Sequence, residues 1–146
     1  MKSLVVFDSN FGNTKIIAEA ISRELGNVAM ATAVSNFDAN ELKGVGLIVA
    51  GSPIIGWKPS EKMQHFLGSL KKGQLTGIKA ATFDTRVKLF IHGDAAKKIS
   101  QGLKDAGAEI IIEPEAFYVK GKEGPLLRGE IEKARIWAEK IKREMG

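Results

Sequence analysis

The chain has 146 residues, of which 44% are hydrophobic and 27% are charged, and it contains no cysteine. This length and composition indicate one soluble globular domain over residues 1–146, and they exclude disulfides, thiol redox chemistry and thiolate metal sites. The formal charge is +5, but acidic and basic side chains are mixed in both halves, so we expect no nucleic-acid partner. No apolar run approaches the roughly 20 residues of a membrane span or resembles a signal peptide, so we expect a cytoplasmic protein without membrane contact.

The first strand and the first helix are predicted on either side of a polar loop. Residues 2–7 form an apolar run typical of a covered parallel strand, and from Thr14 onward apolar residues recur at helical spacing until Gly26. The connecting segment, residues 9–14, has the sequence S-N-F-G-N-T. A loop of hydroxyls, amides and a glycine before a helix offers unpaired N–H groups and a positive dipole end to an anion. The pattern therefore predicts a phosphate-binding loop, and the alternative is an ordinary turn with Asn13 or Thr14 as the N-cap.

Strand and helix patterns alternate along the rest of the chain. The predicted strands cover residues 28–34, 45–50, 78–83 and 109–112, and the predicted helices cover residues 60–70, 93–106 and 129–145. This alternation predicts an α/β fold with a five-stranded parallel sheet and helices on both faces. The units fit the doubly wound strand order 2-1-3-4-5, in which a ligand binds outside the carboxyl ends of the strands.

Three polar or glycine-rich segments follow strands one, three and four, so the predicted fold brings them to one edge of the sheet. They are Asp8-Ser9, Gly51-Ser52-Pro53 and Asp84-Thr85-Arg86. Because the carboxyl ends of parallel strands meet at the same edge, this convergence supports a ligand site more strongly than the first loop does alone.

Several motifs resemble those of flavodoxins, the one-domain carriers of FMN. The S-x-x-G-N-T pattern resembles their phosphate loop, in which hydroxyls and amides surround the phosphate without a cationic side chain. Further segments, F-D-T-R, G-D-A-A-K-K, E-P-E-A-F-Y-V and G-P-L-x-x-G-E, resemble a group of small prokaryotic flavodoxin-domain proteins over nearly the whole chain. The resemblance implies one noncovalent FMN, with its phosphate held by Ser9, Asn10, Gly12, Asn13 and Thr14. Phe11 is a departure, because many flavodoxins have threonine there.

The same resemblance places the flavin ring between the second and third loops. Trp57 offers an aromatic surface for stacking, and Ile54 and Ile55 could shield the dimethylbenzene edge. The alternative for Trp57 is that it covers the sheet edge. The segment that begins at Asp84 would offer backbone groups and hydroxyls to the pyrimidine edge of the ring.

Positive charge distinguishes this chain from flavodoxins, which are commonly acidic. Cations near the ring stabilise the anionic reduced flavin, so we hypothesise that Lys58, Lys62, Arg86 or Lys88 makes reduction easier. The alternative is that these are solvated surface charges. The basic surface also favours an acidic redox partner.

Three functions are compatible with the sequence. The first is a flavodoxin-like electron carrier, and the second is a small FMN-dependent NAD(P)H or quinone reductase, which would need a second pocket above the flavin. The third is an interaction module that has kept the fold and lost FMN. The sequence contains no convincing catalytic set and no pattern of metal ligands. His92, in the third loop, would donate a hydrogen bond or a proton if it approached the ring.

Overall fold

The computed structural model describes residues 2–88 and 94–146, where a sheet lies between two layers of helices. The strands are β1 (Lys2–Phe7), β2 (Ala29–Ala33), β3 (Val45–Ile55), β4 (Lys58–Pro59), β5 (Lys79–Val87), β6 (Glu109–Ile110) and β7 (Glu115–Val119). The helices are α1 (Asn13–Leu25), α2 (Glu61–Ser69), α3 (Ala95–Asp105) and α4 (Glu130–Met145), with short 3-10 turns at Val34–Asn36 and Ala39–Leu42. His92 lies outside the described residues.

The strand order confirms the predicted doubly wound parallel sheet. The order is β2-β1-β3-β5-β6, and β7 pairs with β5 beyond the end of β6. All of these pairs are parallel, whereas β4 pairs antiparallel with the end of β3. With β5 as the fourth strand, this is the predicted order 2-1-3-4-5, and the fifth position is shared by β6 and β7.

A hydrophobic core lies on each face of the sheet. The core on the side of α1 and α4 contains an aromatic cluster in which Phe83, Phe117 and Trp137 make edge-on contacts, with ring centroids 5.8 to 6.1 Å apart. The opposite core contains the buried faces of α2 and α3, including Met63 and Ile99. Burying both faces explains why the central strands are nearly continuous apolar runs.

Two strands run further than the sequence predicted. Gly51 was expected to end the third strand, but β3 continues to Ile55, because its pairing with β5 extends through Pro53. Proline is tolerated here because β1 pairs with β3 only as far as Gly51. The fourth strand likewise continues through Asp84, Thr85 and Arg86, which were expected to begin a loop.

Two details near the C-terminus also differ from the prediction. The strand predicted over residues 109–112 is β6, which ends after Ile110, and no strand was predicted where β7 lies. In α4, the apolar residues Ile131, Ala134, Ala138 and Ile141 recur at helical spacing, which predicts one buried stripe, but Ile131 is 41% exposed, whereas Trp137 is buried. The buried stripe consists of Ala134, Trp137, Ala138 and Ile141, and Ile131 lies in the first turn of the helix, before this stripe begins.

Replacing Gly51 with alanine is expected to destabilise the fold. A Cβ at Gly51 would meet the ring of Phe83, its buried partner on β5. Overpacking a close-packed core costs about 1–3 kcal/mol, so Gly51→Ala should lower the free energy of unfolding by that amount in a urea titration. Gly68→Ala in α2 is the matched control, since its Cβ would meet nothing within 4 Å and alanine favours a helix. Equal stability of the two variants would contradict this account of Gly51.

Candidate functional site

The loop between β1 and α1 is held in shape by Ser9. The Ser9 Oγ accepts hydrogen bonds from the backbone N–H groups of Gly12, at 3.1 Å, and Lys15, at 3.2 Å. Gly12 has φ of 93° and is the N-cap of α1, whereas the alternative interpretation of this loop had Asn13 or Thr14 as the N-cap. Left-handed backbone favours glycine. The first N–H groups of α1 lack intrahelical partners, and its first turn, fully described, contains no acidic side chain.

A buried pair of hydroxyls joins this loop to β5. The Thr14 Oγ1 and Thr85 Oγ1 atoms are 2.8 Å apart, and both residues are almost completely buried. These residues are 71 positions apart in the chain. The hydrogen bond therefore fixes the distance between the first and third predicted ligand segments.

Asp84 and Arg86 form a buried ion pair at the end of β5. The Arg86 Nε donates to Asp84 Oδ1 at 2.8 Å and its Nη2 donates to Oδ2 at 2.6 Å. Asp84 Oδ2 also accepts from the backbone N–H of Ala96, in α3, and Asp94 lies 3.5 Å from the guanidinium. The hydrogen bond to Asp84 raises the pKa of Arg86, against the opposing effect of burial and with the added attraction of both carboxylates. Arg86 is thus charged and held in one orientation.

Trp57 lies in a two-residue turn between β3 and β4. Ile55 pairs with Lys58, and the two turn residues, Gly56 and Trp57, have φ of 56° and 72°. Positive φ at both positions is the signature of a type I′ hairpin turn, although tryptophan is a rare residue for it. The Trp57 side chain is 53% exposed. Lys98, in α3, donates to the Trp57 carbonyl at 3.2 Å.

These segments enclose a cavity of about 640 Å³, within the range of roughly 300–1,000 Å³ typical of small-molecule sites. The residues that line it come from four parts of the chain: Ser9, Asn10, Phe11, Asn13, Thr14, Pro53, Ile54, Ile55, Gly56, Trp57, Thr85, Arg86, Val87, Val119 and Lys122. Nine of the twelve residues predicted for the site are among them.

The structure does not bring Gly12, Ser52 or Asp84 to the cavity wall. Ser52 is fully buried, donates to the Pro53 carbonyl and accepts from the backbone N–H of Ser60. Asp84 is fully buried and bonded to Arg86. Gly12 supplies the turn before α1. These three residues shape the segments whose neighbours line the cavity.

Six lining residues are not among those twelve: Phe11, Ile55, Gly56 and Val87 adjoin predicted residues, whereas Val119 and Lys122 lie at and just after the end of β7, where no site was predicted. The G-P-L-x-x-G-E motif begins two residues after Lys122 and marks this segment in the sequence. No local pattern indicates that the segment lies against the first loop. Of the four cations proposed to act on the flavin, Arg86 lines the cavity, whereas Lys58, Lys62 and Lys88 do not.

Among the described residues, no cluster of side chains could hold a metal ion, and no helix is long and apolar enough to cross a membrane.

A parallel α/β sheet with a polar first loop and a ligand cavity at its carboxyl edge defines the class of doubly wound nucleotide-binding proteins. A family model described as flavodoxin matches residues 5–137. The chain belongs to the flavodoxin family, whose members bind FMN.

Solved structures show the same fold. Oxidised flavodoxin 2 from Bacillus cereus is 24% identical with a TM-score of 0.82, and 99% of each chain is covered. A flavodoxin from the domain Archaea is 21% identical with a TM-score of 0.78 and full coverage of both chains. Rubredoxin oxygen:oxidoreductase from Desulfovibrio gigas is 15% identical with a TM-score of 0.72, and 99% of this chain matches 37% of that one.

The residues at the cavity fit FMN in chemical type. One end presents hydroxyls, amides and the N-terminus of α1, which suit a phosphate. The other end presents Ile54, Ile55 and Trp57, which suit a flat apolar ring. The end of β5 contributes Thr85 and Arg86, whose polar groups suit the polar edge of a flavin.

Removing the Asp84 carboxylate is expected to destabilise the protein. Asp84→Ala would remove the carboxylate that two nitrogens of the partly buried Arg86 guanidinium contact, and breaking a buried pair in this way costs about 3–5 kcal/mol. The double variant Asp84→Ala/Arg86→Met should regain part of that loss, because the stranded charge is gone. Urea unfolding of the single and double variants measures both effects, and strictly additive losses would contradict the coupling.

Proposed function

We propose that this protein holds one noncovalent FMN in the cavity and carries electrons between redox partner proteins. FMN, when bound, supplies reversible electron transfer through its isoalloxazine ring. The observation that supports the proposal most directly is the Thr14–Thr85 hydrogen bond of 2.8 Å. It joins the phosphate-type loop to the end of β5, and both of these segments line the cavity.

The predicted ligands divide into three roles in this proposal. Ser9, Asn10, Asn13 and Thr14 would bind the phosphate through hydroxyls, side-chain amides and helix N–H groups. Pro53, Ile54 and Trp57 would cover one side of the ring, and Thr85 and Arg86 would approach its polar edge. Gly12, Ser52 and Asp84 would act by positioning these residues.

The cavity mouth suits contact with an acidic protein partner. Phe11, Ile55 and Trp57 are each about half exposed and line the cavity, so an apolar patch surrounds the place where electrons would leave. Lys58 is exposed beside Trp57, and Lys98 bonds to its carbonyl. A partner with carboxylates around an apolar centre would be steered to this surface, and its association rate should fall with added salt.

Titration of flavin-stripped protein with FMN tests the proposal. We expect one equivalent of FMN to bind with quenched flavin fluorescence and a shifted visible band. Absence of both changes at saturating FMN would contradict FMN binding and favour an interaction module.

Trp57→Gly is expected to weaken FMN binding without lowering the stability of the flavin-free protein. A non-glycine residue with positive φ costs of order 1–3 kcal/mol, so glycine should leave the flavin-free protein as stable as the wild type or more stable. The same change removes a stacking surface and should weaken FMN binding by about tenfold. Thermal melts and FMN titrations measure the two effects. Ile136→Ala, a half-exposed site on α4, should leave affinity unchanged, and unchanged affinity in Trp57→Gly would contradict the stacking role.

A second measurement distinguishes a carrier from a reductase. The FMN-loaded protein should oxidise NADH or NADPH only slowly, with either oxygen or a small quinone as acceptor. It should accept electrons from a flavodoxin reductase under the same conditions. Multiple rapid turnovers of NAD(P)H by the protein alone would instead assign it as a reductase.

A further inference from the structure

The segment after β7, residues 120–127, is folded into a tight turn. The backbone N–H of Lys120 donates to the Pro125 carbonyl at 2.8 Å, and that of Gly124 donates to the Gly121 carbonyl at 2.9 Å. The following residues return along β7, because Leu127 donates to the carbonyl of Tyr118. This turn contains the start of the G-P-L-x-x-G-E motif, to which the proposed function gives no role.

The turn is held against the predicted phosphate loop. The Asn13 Nδ2 donates to the Glu123 carbonyl at 3.2 Å, across 110 residues of sequence. Gly124 has φ of 101°, and a Cβ there would lie 2.6 Å from the Asn13 Oδ1. The first turn of α1 and the 120–127 turn are therefore in direct contact, and Lys122 lies within that turn, at the cavity wall.

Charge at the cavity is unbalanced. None of the described residues that line it is acidic, and its cations are Arg86 and Lys122. Arg86 is bonded to Asp84 through two of its nitrogens. Lys122 is exposed and makes no ion pair within residues 2–88 and 94–146.

We propose that the Lys122 ammonium binds the phosphate of FMN and makes the site selective for FMN over riboflavin. This inference rests on the proposed function, since it assigns the phosphate end of the same cavity. The contact between Asn13 and Glu123 places the Lys122 backbone beside the loop that would hold the phosphate. Lys122 supplies a cationic contact, whereas the flavodoxin phosphate loop that residues 9–14 resemble uses hydroxyls and amides.

Parallel titrations with FMN and riboflavin test the assignment. Lys122→Met should weaken FMN binding by about tenfold, in line with the loss of a charge-assisted contact. Riboflavin, which lacks the phosphate, should bind the variant and the wild type equally. Lys122→Arg should restore most of the FMN affinity. The difference between wild type and Lys122→Met should shrink in about 0.5 M salt, where exposed charges are screened.

Lys120→Met is the matched control, because it removes the same charge from an exposed side chain that does not line the cavity. An equal loss of FMN affinity in Lys120→Met would reduce the effect to net charge and overturn the assignment. The assignment would also be overturned if Lys122→Met lost the same affinity for FMN as for riboflavin, or lost affinity for neither. Wild-type protein that binds neither flavin would overturn the proposed function and this inference together. Thermal melts of the flavin-free variants confirm that each one is folded.

Discussion

Hydrogen bonding between the parallel strands β1, β3 and β5 fixes the positions of three of the four segments that line the cavity. Phe7, Gly51 and Phe83 lie in one row across these strands. This arrangement is possible only because Gly51 has no side chain, which leaves room for the Phe83 ring. Beyond the row, β1 turns toward α1, while β3 and β5 continue and form two walls. The cavity therefore exists because β3 and β5 extend beyond the end of β1.

The segments that enclose the cavity are tied to one another by the protein's own contacts. Thr14 bonds to Thr85, Asn13 bonds to the Glu123 carbonyl, and Lys98 bonds to the Trp57 carbonyl. A site that is already ordered has less conformational entropy to lose when a ligand binds. Asp84 does not line the cavity, but its two hydrogen bonds to Arg86 orient a side chain that does.

The sequence predicted the sheet order and the four long helices because both depend on local apolar periods and on simple connection rules. It predicted nine of the residues that line the cavity, since they directly follow strands one, three and four. Strand ends were harder to predict. Pro53 and Asp84 are typical of loops, yet tertiary pairing keeps both in strands. The turn that holds Trp57 has Gly-Trp in place of the usual Asn-Gly. Lys122 is brought to the site by the contact between Asn13 and Glu123, 110 residues apart, which no local pattern encodes.

That long separation has a consequence for how the protein folds. The Asn13–Glu123 contact joins the first helix to the segment just before the last one, so the cavity is incomplete until nearly the whole chain has been ordered. Contacts between residues distant in sequence form slowly, because a long loop must close before they stabilise the chain. During synthesis, β1 and α1 leave the ribosome before the segment that contains Glu123. Binding competence should therefore appear late in refolding, after most of the secondary structure.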